Sequence, residues 1–589
     1  MPENRQCQNC KTDFVIEPED FAFYKRIQVP PPTFCPDCRL QRRMTWRNER
    51  TLYHTKCAAT NKSVISMFDP ESPIVVYDRD YWWSDNWDQL STGRDYDFGK
   101  PFFTQFRELM EKAPLPNLAN TNMVNSDYGN HNADIKNGYL VFASFMDENI
   151  SYASGAVEAK DSMDLYTVEK TEQCYENTLC GAGNRVSFAY DSDDSLDSSF
   201  LWSCKDVNNC FGCINLRNKS YHIFNQPFTK EEYKEEIDKL DLGSYKNLTA
   251  IKEKYRDFIK DYPRRFASLL KSVNTTGDMT MNAKNCQHCF DIYESTEDCK
   301  YVIHCSKMKD SYDCYGAGMG DLFYEGVDSG IDASNYRFTV YAHKCRNIEY
   351  SYTCHSSDNL FGCVGLRNKK YCVLNKQYTK EEYEKLIPKI KEHMQTAPYT
   401  DRAGRVYKYG EFFPTELSPF AYNETIAQEY FPLTRELAEN LKFDWKTLGE
   451  KSYNVTLSSE NLPDHIKDVG DRITNEVIGC SHKGKCQEQC TVGFKITPHE
   501  LEFYKKFNYP IPRLCSNCRH YQRLAQRNAF RLWHRSCMCG GKSSENGKYQ
   551  NTSEHFHKGD HCPVEFETPY SSERLETIYC EKCYQQETR

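Results

Sequence analysis

Cys7 and Cys10, followed by Cys35 and Cys38, form two CxxC pairs separated by a spacer of modest length. Four thiolates delivered at that spacing are the usual donor set of one tetrahedral zinc. Near the other end Cys486 and Cys490, then Cys515 and Cys518, repeat the pattern with a CxxxC first knuckle, and Cys480 is available as a substitute ligand. A third set joins Cys537 and Cys539 to Cys580 and Cys583, with His555, His557, His561 and Cys562 as spare donors. The expectation is three zinc ions per chain. A zinc held by four thiolates keeps no open position for water, so the chemistry it implies is structural. The sequence also lacks a phosphate loop, an HExxH helix or a nucleophile and base at catalytic spacing.

Each second CxxC opens a helix, since Pro36 suits a first turn and Cys35 then falls at the N-cap. Steps of four residues place Arg39, Arg43 and Arg47 on one face, and Arg519, Arg523 and Arg527 recur at matching positions. A ladder of guanidinium groups can engage phosphates, while nearby Tyr, Trp and His can stack on bases, so nucleic-acid binding is expected, with RNA favoured over DNA. The competing reading pairs these arginines with the chain's own carboxylates or with a neighbouring domain. A protein scaffold or self-assembling homo-oligomer is the alternative function, and a solenoid-based hydrolase or lyase comes after it.

Between the zinc modules lie two copies of one unit, ending CFGCINLRNKSYHIFNQPFTKEEY and LFGCVGLRNKKYCVLNKQYTKEEY. Short strand-like bursts recur within each copy, which predicts a duplicated β-solenoid, with a meander sheet as the other option. Aligning the copies sets Cys299 opposite Ile150, Cys305 opposite Ala156 and Cys314 opposite Leu165. Ligands would be kept in both copies; thiols exchanged for apolar groups are core. Both copies close on Thr-Lys-Glu-Glu-Tyr, where Thr229 or Thr379 caps a helix and Glu232 or Glu382 completes a capping box.

The predicted class is a multidomain, β-rich protein in which the repeat region is flanked by N- and C-terminal treble-clef-like zinc ribbons with a few helices. The segments run 1–50 (ribbon 1), 51–118 (a β/Trp-rich follower), 119–233 (repeat copy 1), 234–275 (helical spacer), 276–383 (copy 2), 384–475 (helix and connector), 476–530 (ribbon 2) and 531–589 (C-terminal zinc module). The follower keeps Cys57 but has Ala59, Asp78 and Tyr81 where the last module has Cys539, Cys580 and Cys583, so it is expected to lack metal and to use Trp82, Trp83 and Trp87 as core. A net charge of −9 argues against a surface coated with nucleic acid but leaves room for a local basic face. No apolar run is long enough to span a bilayer, and the first residues carry no secretory apolar stretch, so the expected setting is cytoplasmic, away from membranes. The 29 cysteines are then metal ligands or free thiols.

The motifs FYxxxxVPPPTxCPxCRxxRR, ISMFDPESP, LRNKxYxxxNxxYTKEEY, YGEFFPTELSPFAYNET and ELEFYKKFNYPIPRLCSNCR resemble a cysteine-rich zinc-ribbon family of candidate-phyla bacteria. The resemblance runs along nearly the whole chain. It implies zinc binding and a bacterial cytoplasmic setting, and it brings no activity with it.

Overall fold

A computed structural model describes residues 1–181, 183–447 and 454–588. The protein is β-rich with a few helices, and cysteine clusters lie towards both ends of the chain. Two compact units interleave along the sequence: Met1–Ala119 with Ala267–Lys446, and Asn120–Phe266 with Thr447–Arg589. No helix among the described residues is long and apolar enough to cross a membrane.

Each unit is built on a stack of short parallel strands. In the second unit Ser154 pairs with Tyr166, Tyr166 with Thr178, Thr178 with Tyr190 and Tyr190 with Trp202, so every strand stacks on the one twelve residues further on. The first unit is similar, Tyr312 pairing with Tyr324 and Arg346 with Asp358, but some of its steps are thirteen residues, as from Phe290 to Ile303 and from Phe323 to Tyr336. Left-handed backbone recurs at every third residue, as at Asn137, Leu140, Ala143, Met146 and Asn149. Such residues cost roughly 1–2 kcal/mol apiece, least for Asn and Asp, so the surrounding stack must hold them in place.

Side chains inside the stack complete the backbone hydrogen bonds that so much turning leaves open. Ser144 donates to the Phe142 carbonyl at 2.9 Å and accepts from the Ala156 amide, one register step on, at 3.0 Å. Ser311 does the same between Lys309 and Phe323. Cysteines fill the remaining inward positions. Cys286, Cys299, Cys305, Cys314 and Cys354 share one apolar cluster with Val302 and Ile348, while Cys174, Cys204, Cys210 and Cys213 share another with Ala156 and Val168. Their thiols donate to the carbonyl two residues earlier, as Cys305 does to Ile303 at 3.1 Å and Cys314 to Tyr312 at 3.4 Å. Burial pushes Cys174 up to about 11 and Cys204 and Cys305 to about 12, so these groups are neutral and unreactive at physiological pH.

Both stacks end alike. A short antiparallel return closes each one, Ser220–Ile223 on Gln226–Pro227 and Lys370–Val373 on Lys376–Gln377. Helices Lys230–Leu240 and Lys380–Thr396 then follow, each opened by the expected capping box. The buried Tyr233 and Tyr383 fasten these helices to the stack, meeting Tyr221 and Tyr371 edge to face.

Candidate metal centres

An antiparallel hairpin, Glu3–Gln6 with Asp13–Ile16, carries Cys7 and Cys10 in its turn. The helix Pro36–Met44 brings Cys35, its N-cap, and Cys38 against that turn. The four sulfurs lie within 4.8 Å of one another, with Cys10 and Cys35 3.6 Å apart. Thiolates on one zinc at about 2.3 Å would sit about 3.8 Å apart, so this set can close on a zinc ion with small adjustments. The Cys35 amide donates to Cys7 Sγ at 3.2 Å and Asn9 Nδ2 to Cys38 Sγ at 3.2 Å, contacts that stabilise thiolate charge.

In the second module the knuckle is displaced. The cluster is Cys480, Cys490, Cys515 and Cys518, with Cys480 to Cys518 at 3.9 Å and Cys515 to Cys490 at 4.0 Å. The Cys515 amide donates to Cys480 Sγ, just as the Cys35 amide donates to Cys7. Cys480 therefore takes the position expected for Cys486, which instead joins a mixed group with His482, Glu488 and the shared Cys518. The sequence spacing pointed to Cys486 because it is nearest in register. The chain reaches the site earlier, from the strand Ile478–Gly479 that leads into Cys480.

The third cluster divides the expected donors between two groups. Cys537, Cys562, Cys580 and Cys583 come together, and the Cys580 amide donates to Cys537 Sγ at 3.1 Å, the same contact a third time. Cys562, a spare donor in the sequence, replaces Cys539, which groups with His555, His557 and Cys583. His561 stands apart, paired with Glu545 at the surface. In each cluster one thiol is held well below its ordinary value by hydrogen bonds from its neighbours: Cys7 chiefly by Cys35, Cys515 by Cys480, Cys580 by Cys537.

The first follower has the same hairpin, Tyr53–Lys56 with Ser63–Ser66, and Cys57 sits in its turn. Asp78 caps the short helix Arg79–Trp83, as Cys580 caps Glu581–Glu587 in the last module. Trp82 is fully buried there and donates its indole N–H to the Pro114 carbonyl at 2.9 Å.

The arginines turn inward. Arg39 grips Asp313 through Nε and Nη2, both at 3.0 Å, and Arg43 Nη1 lies 3.1 Å from the same carboxylate and 3.0 Å from Glu325. Arg42 joins Glu325 to Glu411, and Arg47 pairs with Glu49 and lies over the Tyr315 ring. In the other unit Arg519 and Arg523 share Asp164 at 3.1 and 2.9 Å. Arg519 lies over Tyr152 as Arg39 lies over Tyr301, and Arg527 donates to the Tyr166 hydroxyl at 2.8 Å. Arg39, Arg43, Arg47, Arg519 and Arg523 are buried and Arg527 is half-buried. This overturns the expected exposed guanidinium face for RNA. The periodicity was sound, but the charged side of each helix meets the stack, where carboxylates supply the counter-charge that burial demands. Burial raises the Glu325 carboxyl above its usual range, against the pull of Arg42 and Arg43.

The sequence reading did not single out Asp313, Glu325 or Asp164. A signal for two of them existed: Asp313 and Asp164 precede Cys314 and Leu165, which the aligned copies place opposite each other.

No family model and no curated protein matches the chain. Among solved structures, a crystal structure of a putative acetyltransferase from Desulfovibrio desulfuricans G20 is similar at 10% identity, covering 39% of this chain and 65% of that one with a TM-score of 0.10. Likeness at that level carries no argument about activity.

Proposed function

We propose that this chain is a non-catalytic, zinc-stabilised scaffold: two solenoid-like stacks, each locked by treble-clef-like zinc modules, presenting their remaining faces to a protein partner or to further copies of the chain. One observation carries the reading. In both units the helix that opens on two metal-type cysteines seats its arginines in an equivalent socket, Asp313 with Tyr301 and Tyr315 in one and Asp164 with Tyr152 and Tyr166 in the other. A zinc cluster at the N-terminus of such a helix fixes its position, and the arginines fasten it to the stack. The module's most distinctive charges are thereby committed within the protein. Closed thiolate sets support a structural role for zinc, and the many free buried thiols suit a reducing compartment such as the cytoplasm.

The test combines metal analysis of protein purified under reducing conditions with thermal melts before and after chelation and light scattering across concentration. At least three zinc ions per chain are expected, with a large loss of stability on chelation, because metal binding to such modules is coupled to folding. Association into oligomers or recovery of one stoichiometric partner is also expected. Protein that is zinc-free and melts unchanged would overturn the zinc reading. Salt-steep RNA binding, abolished in an Arg39, Arg43 and Arg47→Gln variant that still melts like the parent, would restore the nucleic-acid reading.

A further inference from the structure

Cys583 belongs to two donor groups at once. Its sulfur lies within 4.8 Å of Cys537, Cys562 and Cys580, and also within that distance of Cys539, His555 and His557. We propose that the C-terminal module holds two zinc-class ions joined by the Cys583 thiolate, one in the four-cysteine set and a second bound by Cys539, His555, His557 and Cys583. This rests on the zinc reading above and adds a fourth site to it.

The second set has the features of a built site. His555 is fully buried, with Nδ1 3.0 Å from Cys539 Sγ. Its Nε2 lies 2.8 Å from Glu587 Oε1, and Glu587 also accepts from the Tyr549 hydroxyl, the Thr552 amide and the Thr552 hydroxyl. The carboxylate thus fixes the ring with Nε2 as donor, leaving the Nδ1 lone pair aimed at the thiol group, as in carboxylate–histidine–zinc arrangements. His557 Nε2 approaches Cys583 Sγ at 3.4 Å, and its Nδ1 lies 2.5 Å from the Asp560 carbonyl. Asn551 Nδ2 donates to Cys539 Sγ at 3.2 Å, a contact suited to a thiolate.

A buried His–Glu pair alone would explain His555. It would not explain a second imidazole turned onto a sulfur that already completes a tetrad, nor an additional buried thiol, Cys539, within 4.8 Å of both imidazoles. Charge favours the bridge. A zinc with four thiolates carries a net −2, whereas two zinc ions with the five thiolates of the combined set carry −1, a smaller burden for a buried module. Two thiolates and two imidazoles are also an ordinary zinc donor set.

The test is native mass spectrometry of the reduced, metal-loaded full chain, joined to ¹¹³Cd NMR of the cadmium-exchanged protein. Four ions per chain are expected, with one pair of cadmium signals coupled through a shared sulfur. His555→Asn with His557→Asn should lower the count to three and abolish that coupling. Three ions in the parent protein, or four without a coupled pair, would overturn the bridge while leaving the zinc reading intact; absence of bound metal would overturn both. If the double variant fails to fold, Cys486→Ser serves instead: the coupled pair should persist in it, and its loss there would place the bridge at Cys518 and overturn the proposal.

Discussion

Removing the Asp313 carboxylate is the sharpest probe of how the first cysteine module is fastened. In Asp313→Ala, Arg39 loses both of its 3.0 Å contacts and keeps the Phe34 carbonyl at 2.8 Å and the Tyr301 ring, neither of which carries a counter-charge, while Arg43 keeps Glu325. Arg39 is 2% exposed, and so its guanidinium cannot turn to water without undocking the helix. Leaving one buried charge without its partner costs about 3–5 kcal/mol. Urea unfolding followed by tryptophan emission should show that loss as a lower midpoint with an unchanged slope, since Trp46 reports on the same packing through Phe413 and Tyr352. Metal content should stay at the parent level, because Asp313 is in none of the metal-type groups. Replacing all three partners together, Asp313→Leu with Arg39→Met and Arg43→Met, should recover much of the loss, because an apolar core of similar volume needs no counter-charge. A penalty under about 1 kcal/mol for Asp313→Ala, or a parent stability that salt erodes as it does surface pairs, would refute the inward-facing arginine argument.

Cys480→Ser should lose the second-module metal in a chelator competition, whereas Cys486→Ser should keep it with at most a modest change in affinity; the reverse order would restore the sequence-nearest knuckle. Asp147 is buried, and burial pushes its carboxyl from 3.8 up to about 7. The folded state then holds a proton the unfolded chain has released, so the contribution of Asp147 to stability should be fullest below about pH 4, fall through pH 4 to 7 by up to about 4 kcal/mol, and level off above. In urea melts taken at successive pH values, the stability difference between the parent and Asp147→Asn should follow that course, and a difference constant across the window would count against the buried carboxyl.

The thiol chemistry was legible because ligand spacing is local: Cys7, Cys10, Cys35 and Cys38 sit on one hairpin and one helix start, so counting residues suffices. Where the site draws on a third segment, counting fails. Cys562 arrives from beyond a loop in place of Cys539, and Cys480 enters ahead of the displaced knuckle. The core cysteines were legible for a different reason, since exchange of Cys314 for Leu165 between copies reports an apolar environment directly. The direction in which the arginines face was not legible. Helical periodicity places Arg39, Arg43 and Arg47 on one side but is silent on whether water or protein covers it, and the deciding groups lie hundreds of residues away.

The equivalence of the two sockets bears on why the chain is interleaved. Arg39 meets Asp313 in the second repeat copy, while Arg519 meets Asp164 in the first. Each metal module therefore docks on the copy farther from it in sequence, and the same contact serves both pairings. An arginine and aspartate pair buried in both units also discriminates, because a helix docked out of register would bury its charges unpaired at a cost of several kcal/mol. The aromatic surroundings, Phe23 stacked on Tyr312 at 3.9 Å and Tyr175 stacked on Tyr509 at 5.1 Å, supply non-directional attraction that many registers could share. On this argument the cysteine clusters, closed on the metal proposed for them, would make each module rigid, the aromatic rings hold it to the stack, and the buried ion pairs select the register.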